Sequence, residues 1–141
     1  LMIVFDLDST LRNNGVDEQH TPFTHGTDHT VNENWRHWQL FVNATGKPIL
    51  KTVRLYNQFV YSDTVILTSS QFGTSDWLAR NGIELPDLIR ERKSGDTKQG
   101  LDYKKPFIDK YRNDIVLWVD DHTETCDYVQ SLGIPVVRVT K

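Results

Sequence analysis

MIVFDLDST, residues 2–10, runs four apolar side chains directly into two aspartates, Asp6 and Asp8. Residues 2–7 (MIVFDL) are interrupted only by Asp6 and read as a strand buried on both faces, the kind found in parallel sheets. Working outward, three more apolar runs repeat the pattern: TVILT at 64–68, IVLWV at 115–119 and PVVRV at 135–139, with a weaker candidate, DLIRER, at 87–92. The segments between them have helical length and punctuation. Residues 74–81 carry Thr74, Ser75 or Asp76 as N-cap and stop at Gly82. Residues 123–132 open at Thr123 and stop at Gly133, with Pro135 beyond. Residues 104–112 are a further helix, and 47–61 place Ile49, Val53, Tyr56 and Val60 on one helical face. Strands alternating with helices predict an α/β domain whose parallel sheet is covered on both sides. Residues 12–34 break the alternation: polar, aperiodic and rich in His, Asn and Thr, they read as a loop or flap, and long loops in small domains are usually functional.

The length of 141 residues fits one domain with a core of its own. No apolar run approaches the ~20 residues of a membrane span. Asp6 interrupts the N-terminal run too early for a signal peptide, so a cytoplasmic location is expected. The single cysteine, Cys126, excludes an internal disulfide framework or a multi-cysteine zinc site and is expected to be buried. A net charge of −3 argues against a general nucleic-acid coat protein. That charge divides unevenly: residues 90–105 carry +3, leaving −6 on the rest.

In an open parallel sheet, sites form at the carboxyl ends of the strands. Asp6 and Asp8 follow the first strand, and Asp120 and Asp121 follow IVLWV. One such aspartate is ordinarily a helix cap. Two pairs on one edge repel unless a cation offsets them, and Mg²⁺, which takes carboxylates, waters and phosphate oxygens, suits them. Thr68, Ser69 and Ser70 end the second strand with hydroxyls and backbone N–H groups suited to phosphate oxygens. Lys104 and Lys105 precede Pro106 and offer a cation to either.

Taken in order, D-x-D-S-T at 6–10, Thr68, Lys104 and the acidic pair 120–121 resemble the four motifs of the haloacid dehalogenase (HAD) superfamily of phosphohydrolases. Within it, residues 77–139 are similar to the 3′-phosphatase domain of bacteriophage polynucleotide kinase and to stand-alone phage relatives. The resemblance implies a three-layer Rossmann-like core and a five-stranded parallel sheet of order 5-4-1-2-3. A small flap or lid follows the first strand, roughly 12–46, all within a single domain, 1–141. It also implies a Mg²⁺-dependent phosphomonoesterase that works through an aspartyl-phosphate on nucleotides or 3′-phosphate ends of nucleic acid, in a host cytoplasm if the chain is of phage origin.

By that resemblance Asp6 is the nucleophile, Asp8 the general acid and base, Thr68 a phosphate ligand and Lys104 the charge-stabilising lysine. The metal falls to Asp6, Asp8 (through its backbone carbonyl), Asp120 and Asp121. Ser69, Thr10, Arg12 and Arg92 are the substrate-binding candidates. Two departures stand out. Ser9 occupies a place often held by glycine, and Ser70 one held by arginine in the polynucleotide phosphatases, leaving Arg12, Arg90 or Arg92 to supply a guanidinium. Lys105 competes with Lys104 for the lysine role, with spacing from the GDT at 95–97 favouring Lys104.

So short an insert leaves room for a small lid only, which a second copy of the chain or another partner would complete. His20, His25, His29 and His37 match no metal-binding helix face, and Trp35 and Trp38 read as lid-to-core packing rather than base stacking. Two other classes stay open: a phosphoacceptor domain, although here Lys105-Pro106 precedes the acidic pair instead of following it, and a non-catalytic HAD-like binding protein. Phosphatases of other small phosphometabolites also share this motif set.

Overall fold

The apolar runs become the strands of one sheet. The computed structural model describes residues 1–14, 32–59, 61–96 and 98–140, with the backbone alone at 32–35. In chain order the elements are β1 (Met2–Phe5), β2 (Arg12–Asn13), α1 (Asn32–Thr45), β3 (Lys47–Pro48), α2 (Leu50–Phe59), β4 (Thr64–Thr68), α3 (Thr74–Arg80), β5 (Leu88–Glu91), α4 (Gly100–Tyr111), β6 (Ile115–Asp120), α5 (Thr123–Ser131) and β7 (Val136–Arg138).

The main sheet has five strands in the order β5-β4-β1-β6-β7, and every pairing in it is parallel. This differs from the expected 5-4-1-2-3. The chain forms two further strands, β2 and β3, which hold the second and third places in chain order yet pair only with each other, antiparallel, outside the main sheet. β1 is central, with Phe5 registered against Ile66 of β4 and Val119 of β6.

Alternation along the strands builds a core on each face. Ile3, Phe5, Ile66 and Val119 meet Val53 and Tyr56 of α2 and Trp77 and Leu78 of α3. Val4, Val65, Leu67 and Trp118 meet Phe107 and Ile108 of α4 and Val129 of α5. The Phe5 and Tyr56 rings pack edge to face at 5.3 Å. Each fully buried side chain of this kind contributes about 1.5–3 kcal/mol.

Several local expectations give way. α4 begins at Gly100, not at 104, because Pro106 mimics a helix-start signal while the helix in fact runs through it. The N-cap of α3 is Gly73, at φ 82, and it has no side-chain cap; the Thr74 hydroxyl donates instead to Glu91 Oε2 at 2.7 Å. β7 is an edge strand, with Val137 and Arg138 exposed, rather than a buried one. The segment read as an aperiodic loop to residue 34 is already helical from Asn32, and β2 pairs with β3 across the two ends of the insert. His20, His25, His29 and most of the expected flap lie outside the described residues, as does Val60. No described helix is long and apolar enough to cross a membrane.

Candidate active site

Asp6 follows β1 directly, and the extended strand aims its carboxyl at the sheet's carboxyl edge. Asp6 N donates to Val119 O of β6 at 2.9 Å, which ties the first acidic motif to the strand bearing the last. β6 ends at Asp120, fully buried, and Asp121 follows. Asp6, Asp120 and Asp121 each offer an oxygen within 4.8 Å of the others.

Lys104, inside α4, answers this charge. Its Nζ donates to Asp6 Oδ1 and to Asp120 Oδ2, at 2.9 Å each. Lys105 is exposed, with Nζ 5.4 Å from the Tyr128 ring. The Thr10 hydroxyl lies 3.0 Å from Asp6 Oδ2 and 3.3 Å from Asp121 Oδ1 and donates between them. Trp118 Nε1 and His122 N donate to the two oxygens of Asp120.

Three carboxylates and one ammonium leave net negative charge in a desolvated place. Burial raises the Asp6 carboxyl well above the ordinary range, and Asp120 and Asp121 add to the rise. Burial likewise lifts Asp121. Burial works against Asp120 too, but Lys104 outweighs it and holds that carboxyl below its usual value. Burial would lower Lys104, yet Asp6 and Asp120 overcome it and hold the ammonium above its usual range. A hard dication fits this set: the donors are all oxygen, they converge, and they carry charge that Lys104 alone does not offset.

The Asp8 carboxylate points elsewhere, to Arg12 at 2.9 and 2.7 Å and to the Ser70 hydroxyl at 2.8 Å. Residues 7–12 form a tight turn in which Ser9 N donates to Arg12 O at 2.7 Å and Ser9 takes φ 63. That left-handed backbone accounts for the glycine common at this place in the family the motifs resemble. Ser9→Gly is expected to stabilise the chain by about 0.5–1 kcal/mol, readable as a higher urea midpoint at unchanged slope.

A cavity of about 310 Å³ opens at this edge, walled by Asp6, Asp8, Ser69, Ser70, Arg92, Lys104 and Asp120. Trp38 and Gln39 of α1, Gln71, Gln99, Gly100, His122 and Thr125 complete it, and none of these was singled out as a site residue from the sequence. The nearest signals were weak: Trp38 read as packing, and His122 was only the residue after the acidic pair. His122 caps α5, its Nδ1 accepting from Thr125 N at 3.3 Å, which leaves Nε2 as the ring's N–H.

Of the other sequence candidates, Thr68 is buried, its hydroxyl accepting from Ser70 N at 3.0 Å. Arg92 reaches the wall with Nε on Ser69 O at 3.0 Å and Nη1 on Asp96 O. Arg90 lies over the Phe107 ring at 5.5 Å, on a different groove. Arg12 is fully buried. Cys126 is buried, its Sγ 3.5 Å from Asp120 O. His37 is exposed on α1.

The architecture is an α/β fold built on a five-stranded parallel sheet. It is similar to a chain in the Pnkp1/Rnl/Hen1 complex, with a TM-score of 0.69 and 17% identity over 98% of this chain and 45% of that one. A second structure of the Pnkp1/Rnl/Hen1 RNA repair complex gives the same score and identity over 98% of this chain and 42% of that one. A hydrolase from Pseudomonas syringae matches at TM-score 0.61 and 14% identity over 98% and 84% of the two chains. This chain thus spans less than half the length of the Pnkp1-complex chains it matches. At these identities the likeness is one of fold. No protein-family model and no curated protein matches the chain.

Proposed function

We propose that the chain is a Mg²⁺-dependent phosphomonoester hydrolase that works through an aspartyl-phosphate on Asp6, with nucleotides or 3′-phosphate ends of nucleic acid as substrates. The convergence of Asp6, Asp8, Lys104 and Asp120 on one cavity supports this reading more than any other feature. The HAD-like fold is consistent with it, and similarity to a chain from an RNA repair complex favours a polynucleotide over a small metabolite.

In this mechanism the Asp6 carboxylate attacks phosphorus and the ester bond breaks, with Asp8 giving a proton to the departing oxygen. Asp8 then takes a proton from the water that hydrolyses the aspartyl-phosphate. Lys104 keeps one Asp6 oxygen oriented and offsets charge on the phosphoryl oxygens. The Ser69–Gln71 turn and Arg92 receive the phosphate and the body of the substrate. A Mg²⁺ held by Asp6, Asp120, Asp121 and the backbone carbonyl of Asp8 would screen the carboxylates and polarise the phosphoryl oxygens.

A panel of p-nitrophenyl phosphate, nucleotides and 3′- or 5′-phosphorylated oligonucleotides tests the proposal. Phosphate release is expected with Mg²⁺, is lost on chelation with EDTA and returns when Mg²⁺ is added back. No release from any member, or release indifferent to chelation, overturns it. Formation of a stable phospho-adduct from acetyl phosphate without turnover would favour a phosphoacceptor instead.

A further inference from the structure

Arg12 is an arginine with no surface. It is fully buried, and its guanidinium lies 5.3 Å over the Trp77 ring. Its Nη1 donates to Asn43 Oδ1 at 2.9 Å, and Asn43 is held in turn by Gln39 Nε2 at 3.0 Å and by its own Nδ2 on Phe72 O at 3.0 Å. At Gly46 a Cβ would stand 2.6 Å from Arg12 Cδ, so the backbone itself walls the side chain. Desolvating a guanidinium costs several kcal/mol, and an aliphatic residue would fill the same space without that cost. The anion that compensates it is the Asp8 carboxylate.

The bonds to Asp8 are asymmetric. Both Nε and Nη2 of Arg12 donate to Oδ1, at 2.9 and 2.7 Å, and fill that oxygen's two lone-pair positions. Oδ2 meets the Ser70 hydroxyl at 2.8 Å, and Ser70 Oγ is itself anchored by Arg12 Nη2 at 3.1 Å. A hydroxyl donates to Oδ2 when that oxygen is bare and turns to accept when it carries a proton. Asp8 and Ser70 line the cavity and Arg12 does not, so Arg12 stands one layer behind the chemistry.

We propose that Arg12 is a positioning residue for Asp8: together with Ser70 it holds the carboxylate against the cavity so that Oδ2 is the oxygen that exchanges a proton with the substrate. The inference rests on the phosphatase reading of Asp8. In the first step the Asp6–phosphorus bond forms, the ester P–O bond breaks, and the leaving oxygen takes its proton from Oδ2. In the second, water bonds to phosphorus and its proton returns to Oδ2 as the Asp6–phosphorus bond breaks. Arg12 touches neither the phosphate nor the leaving group. The guanidinium absent at Ser70 is thus supplied from β2, for a different purpose.

The experiment compares two leaving groups in the same protein preparation. p-Nitrophenolate departs without a proton, whereas the alkoxide of a nucleoside 3′-monophosphate needs one. In Arg12→Lys and Arg12→Met, kcat on the alkyl ester is expected to fall ~100-fold while kcat on p-nitrophenyl phosphate falls less than ~10-fold. The ratio cancels any loss of folded enzyme. Ser70→Ala is expected to shift the ratio in the same direction by ~10-fold, and in an Asp8→Asn background Arg12→Lys is expected to shift it no further. Equal losses on both substrates, or a further shift in the Asp8→Asn background, would overturn the positioning role. A wild-type chain inactive on both substrates would overturn the phosphatase reading itself, a separate failure.

Discussion

Asp6→Asn is expected to abolish phosphate release and, in metal-free buffer, to make the protein more stable. Loss of a covalent nucleophile costs on the order of 10⁵-fold in kcat, far more than positioning defects do. The gain in stability has an electrostatic origin. Asp6 is buried against Asp120 and Asp121, and its carboxyl resists ionisation even with Lys104 2.9 Å away. A neutral amide keeps an acceptor for Lys104 and gains an N–H for the neighbouring carboxylates, while one repulsive charge disappears. A gain of about 1 kcal/mol, or a few degrees in Tm, is the expected scale.

The pH dependence has a definite sign. A group whose folded pKa is raised contributes most below its unfolded value, and that contribution is lost as pH rises through the folded one. The advantage of the asparagine variant over wild type is therefore small in acid and grows toward neutrality. A variant less stable than wild type at neutral pH without metal would show that the triad is not under charge stress.

Lys104→Met is expected to act in the opposite sense on stability and in the same sense on activity. Lys104 is 5% exposed, and its ammonium bridges Asp6 and Asp120. Removing it leaves three carboxylates with no cation among them, and breaking a buried pair in this way costs about 3–5 kcal/mol. Two conditions should restore part of the loss in thermal melts. Acidification neutralises the carboxylates. Mg²⁺ at about a hundred times its Kd returns about 2.7 kcal/mol by mass action. Wild-type stability in this variant without metal would show that Lys104 is not the counter-charge. A parallel Lys105→Met should leave stability close to wild type, since its ammonium lies on the surface over the Tyr128 ring.

The acidic parts of the site that were legible in the sequence share one property: each lies directly after a buried run. Asp6, Asp120 and Asp121 are read from the strands that carry them, because a parallel strand delivers its end to the carboxyl edge. Lys104 was harder, since two adjacent lysines differ only in the face of α4 they occupy. The polar scaffold behind the site was not legible. Arginine is ordinarily a surface residue, so Arg12 read as a phosphate clamp. Its partners Asn43 and Ser70 lie 31 and 58 residues away and meet it only through the fold. Thr10 read as a substrate ligand, yet its hydroxyl serves Asp6 and Asp121. The helix α1, which brings Trp38 and Gln39 to the cavity, starts inside the polar stretch read as a loop to residue 34, and Trp38 read only as packing.

The central place of β1 bears on how this protein is made. Its partners are β4 and β6, whose contacting residues begin about 60 and 110 positions later, at Thr64 and Ile115. β1 therefore leaves the ribosome long before β4 and β6, and the entropy of closing those loops must be met before it can pair. Asp6 has no Lys104 and no Asp120 until then. The Asp6 carboxylate is thus made well before its counter-charge, and a chain halted anywhere before β6 carries the first acidic motif without the cluster that surrounds it.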